Sequence, residues 1–421
     1  MNRMNCKKLL NLMICTAWVV VVSSGMLQAQ NVVTEWNAIA STTIVKNAGN
    51  QPAAASVYFA YAAIASYDAV NAIDRQFRPV YYFGRAWGRA SEEAAAVAAA
   101  HRVLVHYFPN QENVLDQEFS VSLAAIQASS DAKDAGVHVG EASAGALIAA
   151  RTGDGVAAPV PYMPGSGPGA WEPTPPGFLP AATPWLGQMR PFTMRSPSQF
   201  LPDGPTSLSG AEWERDYTVT RILGAADSTA RTPKQTEIGI FWTENTAQQY
   251  ARLFTNLASQ NHLNLPHTAR FMAVLWTGFA DAGIGCFNAK YHYSFWRPVT
   301  AIPAGGGDPD LTADANWHPL GTTPNHPEYP AAHACITSAV SHLIAGYFGT
   351  PKVHIVVDSL SFKDGTHTHT FENTHDFYDE VFWARVYAGF HFYHSLVDGG
   401  ELGRKVAAQL ERRYFRRGDD R

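Results

Sequence analysis

Residues 330–349 read PAAHACITSAVSHLIAGYFG. A proline opens the stretch, and Ala332, Ile336, Ala339, Val340, Leu343 and Ile344 recur at the spacing of one helical face. Gly349 follows as a stop signal. The pattern predicts a buried helix with His333 in its first turn. Free backbone N–H groups and the helix dipole make such a turn an anion-binding position. The alternative reading is a core histidine satisfied by its neighbours.

Outward from this helix the chain reads the same way. Ala53 to Ile73, a segment opened by Ser91-Glu92-Glu93 and closed by Pro109, Asn113 to Gln127, and Ala132 to Arg151 all carry helical periodicity. Acids in a first turn, as at Glu92 and Glu93, suit the helix dipole. Further starts are predicted at Ser209-Gly210-Ala211-Glu212, a capping-box pattern, and at Thr232-Pro233-Lys234-Gln235. Val353 to Val357 is the best strand candidate and is short. No solenoid repeat is present. The expected class is all-α, built of helical bundles.

Residues 156–208 interrupt the pattern with half of the 26 prolines, interleaved with Trp171, Phe178, Trp185, Phe192 and Phe200. Proline forbids long helices and central strands. The aromatics argue against a loose linker, so an ordered wrapping segment is expected, either a wall over a cleft or surface cover. The organisation expected is therefore 1–29, a signal peptide; 30–155, an N-terminal helical part; 156–208, a connector; and 209–421, a C-terminal helical domain with the site. The first element rests on Arg3, Lys7 and Lys8 preceding an apolar run from Leu9 to about Val22, then small residues up to Ala29. Cleavage near Ala29 implies a secreted or periplasmic protein with no membrane span; an uncleaved anchor is the alternative.

Composition excludes several classes. With 421 residues, 46% hydrophobic and 16% charged, the chain has material for a large core and is not disordered. A formal charge of −5, falling to −8 once Arg3, Lys7 and Lys8 are removed, excludes a general nucleic-acid binder. Four cysteines are too few for a disulfide scaffold. Cys6 and Cys15 lie in the leader, leaving Cys286 and Cys335, whose pairing the sequence leaves open. No Gly-rich loop ending in Lys-Ser/Thr is present.

Two further segments concentrate cations and histidines among apolar residues. In Lys290-Tyr-His-Tyr-Ser-Phe-Trp-Arg297-Pro298 the cations are seven residues apart, nearly two turns, and would share one helix face. Buried cations need a counter-charge, from local carboxylates or from a bound anion. In Arg385-Val-Tyr-Ala-Gly-Phe-His391 the two side chains would diverge on an ideal helix and meet only if it ends near Gly389. Three cations, two histidines and a helix N-terminus suit a tetrahedral oxyanion, phosphate or vanadate. One histidine would touch the central atom and the other would move a proton.

The order Lys-x6-Arg-Pro, Pro-x-x-His, Arg-x5-His resembles the superfamily of vanadium-dependent haloperoxidases and type 2 phosphatidic acid phosphatases. Ala280-Asp281-Ala282-Gly283-Ile284, Phe295-Trp296-Arg297-Pro298, His326-Pro327-Glu328-Tyr329-Pro330 and Tyr67-Asp68-Ala69-Val70-Asn71-Ala72 resemble the secreted bacterial haloperoxidase branch. The resemblance implies that Lys290, Arg297 and Arg385 grip an oxyanion, with the Ala332 N–H as a further donor. It implies that His391 binds vanadium, or attacks phosphorus in a phosphatase, and that His333 is the acid/base. Vanadate is the cofactor implied, and phosphate could take its place. His326 and Phe287 would stand on the halide side, and His326 points to bromide or iodide. The activity implied is oxidation of halide by hydrogen peroxide to a hypohalous species that halogenates an organic acceptor. The alternatives are a phosphomonoesterase acting on phosphate esters through a phosphohistidine at His391, and a silent oxyanion-binding relative. Partners would be these small molecules, with a homo-oligomer possible. One departure is plain: the family's Ser-Gly before the histidine is here Ala331-Ala332.

Outside this set, His367 and His369 alternate as on one face of a strand and are a possible metal pair. His394 is a candidate neighbour of the site, Asp398 reads as a turn or as a family acid, and Arg412, Arg413, Arg416 and Arg417 read as a solvated helix end.

Overall fold

The computed structural model describes residues 31–86 and 89–418. The proposed leader lies outside the described residues. Thirteen α-helices are present among them: α1 (Val32–Ser41), α2 (Pro52–Asp74), α3 (Glu92–Tyr107), α4 (Glu112–Ala125), α5 (Ser130–Arg151), α6 (Ala211–Gly224), α7 (Pro233–Phe241), α8 (Thr246–Gln260), α9 (Leu265–Tyr293), α10 (Pro298–Ala301), α11 (Ala332–Phe348), α12 (Thr374–Tyr387) and α13 (Tyr393–Arg413). A single antiparallel pair, β1 (Ile355–Ser359) and β2 (His367–Phe371), separates α11 from α12 with Val357 opposite His369. The class is all-α. No described helix is long and apolar enough to cross a membrane.

The N-terminal and C-terminal helices share one core. α2 is buried on nearly every side and packs against α9, α3 and α5. A helix apolar all round is stable only in such a position. Phe59 of α2 stacks on Trp276 of α9 with ring centroids 4.0 Å apart. α9 is the central rod and also packs on α11 and α13. α13 approaches α11 at glycine: a Cβ on Gly403 would lie 2.1 Å from the Cys335 carbonyl oxygen.

Local sequence signals explain most helix ends. Ser91 caps α3 through Ala94 N, and Thr232 with Gln235 forms the full capping box on α7. The box expected at Ser209 does not form. Gly210 is the N-cap of α6 with no side-chain cap, and the Ser209 hydroxyl faces Ser207 instead. The strand expected at 353–357 sits two residues later, since pairing with β2 sets its register. Asp398 is not in a turn. It lies inside α13, where its carboxylate meets Tyr329 and His394.

The Pro-rich stretch is ordered through side chains, because its prolines cannot build a ladder. Trp171 is fully buried. The buried carboxylate of Asp281 in α9 accepts from Phe192 N at 2.7 Å and Thr193 N at 2.7 Å, besides the Thr193 hydroxyl. Asp281→Ala orphans two buried amides and is expected to cost roughly 2–4 kcal/mol of unfolding free energy. Chemical denaturation checks this; a loss under about 0.5 kcal/mol, the surface-substitution range, would show that other contacts hold the segment.

Candidate active site

Three breaks in regular structure bring the site together. The first follows α9. Ser294 adopts a left-handed conformation (φ 51°), so the helix ends before Arg297, which becomes the N-cap of α10. Lys290 and Arg297 therefore do not share a helix face, contrary to the spacing argument. The second break precedes α11, whose N-cap Ala331 offers no capping side chain. The third follows α12. The chain turns at Gly389 (φ +74°), where a Cβ would lie 2.5 Å from the Gly224 carbonyl oxygen. That turn carries His391 back toward Arg385, as the sequence required.

Ala332, His333, His326, Phe287, Arg385 and His391 line one cavity of about 540 Å³. Gln51, Pro52 and Ala53 at the start of α2, Ala182 and Thr183 of the Pro-rich segment, and residues 240 and 242–246 complete its wall. Residues 182–183 thus meet the expectation of a wall over a cleft.

Arg297 is fully buried and ties two of the lining histidines together. Its Nε donates to the His326 carbonyl oxygen at 2.9 Å and one terminal nitrogen to the Phe390 carbonyl oxygen at 2.9 Å. The guanidinium also faces His391 Nε2 at 3.1 Å and His326 Nδ1 at 3.0 Å. Lys290 donates to the carbonyl oxygens of Pro327 and Glu328, both at 2.8 Å. Arg385 donates to the Trp242 carbonyl oxygen at 2.6 Å, lies 4.8 Å over the Phe390 ring, and leaves a buried Nε without a partner. Burial pushes the proton affinity of all three cations down, and that of Lys290 to about 8.

Glu328 carried no role in the sequence reading, and the structure gives it one. It is fully buried and accepts from His391 Nδ1 at 2.8 Å, Phe392 N at 3.0 Å and the Ser395 hydroxyl at 2.5 Å. An arginine can only donate. Arg297 at Nε2 and a carboxylate at Nδ1 thus fix the His391 tautomer: the proton sits on Nδ1 and the lone pair on Nε2. Burial and the charges of Arg297, Lys290 and Arg385 hold this imidazole well below its ordinary pKa, so it is neutral. The same forces act on His333 and His326. One buried carboxylate faces three buried cations, so the question left open by the sequence has a mixed answer. Glu328 supplies part of the counter-charge, and two positive charges remain for an anion.

Burial pushes Glu328 up to about 7, against the pull of Ser395, Arg297 and Lys290. Its carboxylate form is therefore lost as pH falls through about 7. Glu328→Gln is expected to remove any acid limb centred there and to lower turnover by about 10–100-fold, the usual effect of losing an outer partner of a liganding histidine. A pH–rate profile in the variant that kept the wild-type limb would assign it to another group.

The remaining histidine candidates make their hydrogen bonds outside this cluster. His369 is held between Glu237 and Glu380, at 2.9 and 2.5 Å, and His367 meets Glu237 and Asp364. Among the described residues no group of three His, Cys, Asp or Glu side chains could hold a metal ion. His394 pairs with Asp398 and Glu212. Cys286 and Cys335 are buried free thiols, and the Cys286 thiol faces the Pro330 carbonyl oxygen at 3.6 Å.

Comparisons with known proteins place this geometry. Residues 270–417 match the family described as the VCPO second helical-bundle domain. The vanadium chloroperoxidase of Curvularia inaequalis is 26% identical over 196 residues, 39% of this chain, and the match spans about a third (32%) of that relative's length. A solved bacterial vanadium-dependent iodoperoxidase superposes with a TM-score of 0.79 at 20% identity, over 92% of this chain and 98% of that one. A bacterial vanadium-dependent chloroperoxidase, solved in its holo form, gives 0.70 at 17% identity, over 88% and 93%.

Proposed function

We propose that the chain belongs to the vanadium haloperoxidase superfamily and oxidises a halide with hydrogen peroxide when loaded with vanadate. The observation that carries the reading is His391, whose Nε2 is set as the acceptor by Glu328 and Arg297, in the wall of a cavity that Arg385 also lines. The residues fit an oxyanion on two counts. Arg385 Nε is a buried donor with no protein partner, and the first turn of α11 has no capping side chain.

Arg297, Arg385 and Lys290 would hold the anion's oxygens, the Ala332 N–H would add a donor, and His391 Nε2 would be the ligand to vanadium. Bound vanadate supplies Lewis-acid activation of peroxide, with no change in metal oxidation state. The protein's own part is to neutralise the anion's charge, to orient His391, and to move a proton at His333. Alanine in place of serine at 331 withholds one hydrogen bond to a charged group, worth about 1.5–3 kcal/mol. Vanadate affinity is accordingly expected to be modest. His326 and Phe287, with ring centroids 5.1 Å apart, form the wall on which bromide or iodide would rest. The bacterial iodoperoxidase among the fold neighbours is in keeping with that preference.

The test is a pair of assays on metal-free protein: halogenation of an organic acceptor with vanadate, peroxide and bromide or iodide, and hydrolysis of an aryl phosphate without vanadate. Halogenation supports the reading. Phosphate release alone would transfer the site to phosphomonoester chemistry through His391, and inertness in both would make it a binding site only. A secreted or periplasmic location and action on a freely diffusing acceptor belong to the same proposal.

A further inference from the structure

Thr246 opens α8, far in sequence from the histidine it meets. Its hydroxyl oxygen lies 2.8 Å from Nε2 of His333, across 87 residues. Thr246 is 2% exposed and lines the same cavity. Its place is fixed by Asn245, whose side-chain oxygen caps Ala247 N and Gln248 N, and whose amide donates to the Asn50 carbonyl oxygen beside α2. The hydroxyl is thus held by backbone geometry on two elements, and His333 comes to it.

The direction of this hydrogen bond follows from donor accounting. A buried hydroxyl proton needs an acceptor. Among the described residues, the Thr246 hydroxyl has no partner besides His333 Nε2. If Nε2 carried the proton and donated to Thr246, the hydroxyl's own proton would have no acceptor among the described residues. The ring is neutral, since burial and the three nearby cations oppose its protonation. A neutral ring that accepts at Nε2 carries its proton on Nδ1.

We infer that Thr246 is the positioning residue of His333, locking it as the Nδ1–H tautomer with Nδ1–H as the donor that the protein leaves free. His391 is locked in the same tautomer by Glu328, with Arg297 at its other nitrogen. Thr246 is uncharged, so it orients His333 without stabilising an imidazolium. The Nδ1–H can thus donate a hydrogen bond toward an anion's oxygen without disturbing the Thr246 bond.

The part of this inference that concerns turnover rests on the haloperoxidase reading; the tautomer itself does not. The primary test is therefore made on protein without vanadate. Two-bond ¹H–¹⁵N correlation spectra of histidine-labelled protein, with His333 assigned through His333→Gln, are expected to show protonated Nδ1 and unprotonated Nε2. Thr246→Val should give a mixture of tautomers, and Thr246→Ser should restore the single form. In the loaded enzyme Thr246→Val is expected to lower kcat by about 10–100-fold, with the KM for halide unchanged and with rescue by Thr246→Ser. A wild-type His333 protonated on Nε2, or a Thr246→Val spectrum like the wild type, overturns the inference. The expected spectra in a wild-type protein that fails to halogenate would uphold the assignment of Thr246 and sink the haloperoxidase reading instead.

Discussion

His391→Ala is expected to abolish the halide oxidation proposed above, with a loss of at least about 10²–10³-fold, the range for removing a preorganised group from a charged site. Three features lead to this figure. The imidazole is 1% exposed, so no water of comparable position can replace it. Its Nε2 is the only uncharged donor atom that both Arg297 and Glu328 act to orient. Its removal also leaves Glu328 and Arg297 facing each other across a void, where they can pair and withdraw a positive charge from the anion. The last point gives a second readout. Vanadate affinity should fall along with turnover, as measured by titration of the metal-free protein. Activity that survived in His391→Ala would place the reacting centre elsewhere in the cavity.

The second large effect is expected at Arg297. Its guanidinium makes four contacts, to two carbonyl oxygens and two imidazole nitrogens, and spans the histidines on either side of the cavity. Arg297→Ala removes those donors and one of two positive charges not matched by Glu328. At about 1.5–3 kcal/mol for a charged hydrogen bond, loss of the one N–H that these four contacts leave over corresponds to a fall in affinity of about 10–100-fold. The lysine variant is the informative control. Lysine restores the charge as a single point but cannot span both sides with a planar fork. Arg297→Lys should therefore recover fold stability and part of the anion affinity while leaving turnover low. Equal recovery of all three would reduce Arg297 to a source of charge.

These residues were legible before any coordinates because chemistry restricts what buried cations and paired histidines can do. The helices were legible because Ala-rich periodicity and caps such as Ser91 and Thr232 are local signals. What local reasoning could not reach was partnership across the chain. Glu328 stood inside a quoted motif, but nothing near it in sequence says that it meets His391, 63 residues on. Thr246 is the first residue of α8, and nothing near it in sequence points to His333. The break at Ser294 was hidden as well, since a serine in the left-handed region has no sequence mark comparable to glycine. The spacing of Lys290 and Arg297 therefore pointed to a shared helix face that does not exist.

The cavity draws on separate stretches of the chain, and that separation has an evolutionary corollary. The charged end comes from the loops flanking α10, α11 and α12, while much of the rim comes from residues 51–53, 182–183 and 320–324. Substitutions along the rim can reshape which molecules enter while leaving Arg297, Arg385 and His391 in place. A lineage can thus diversify in substrate choice on a fixed reactive core. An excised segment 270–417 would, by the same token, inherit the charges without Thr246 or much of the enclosing rim.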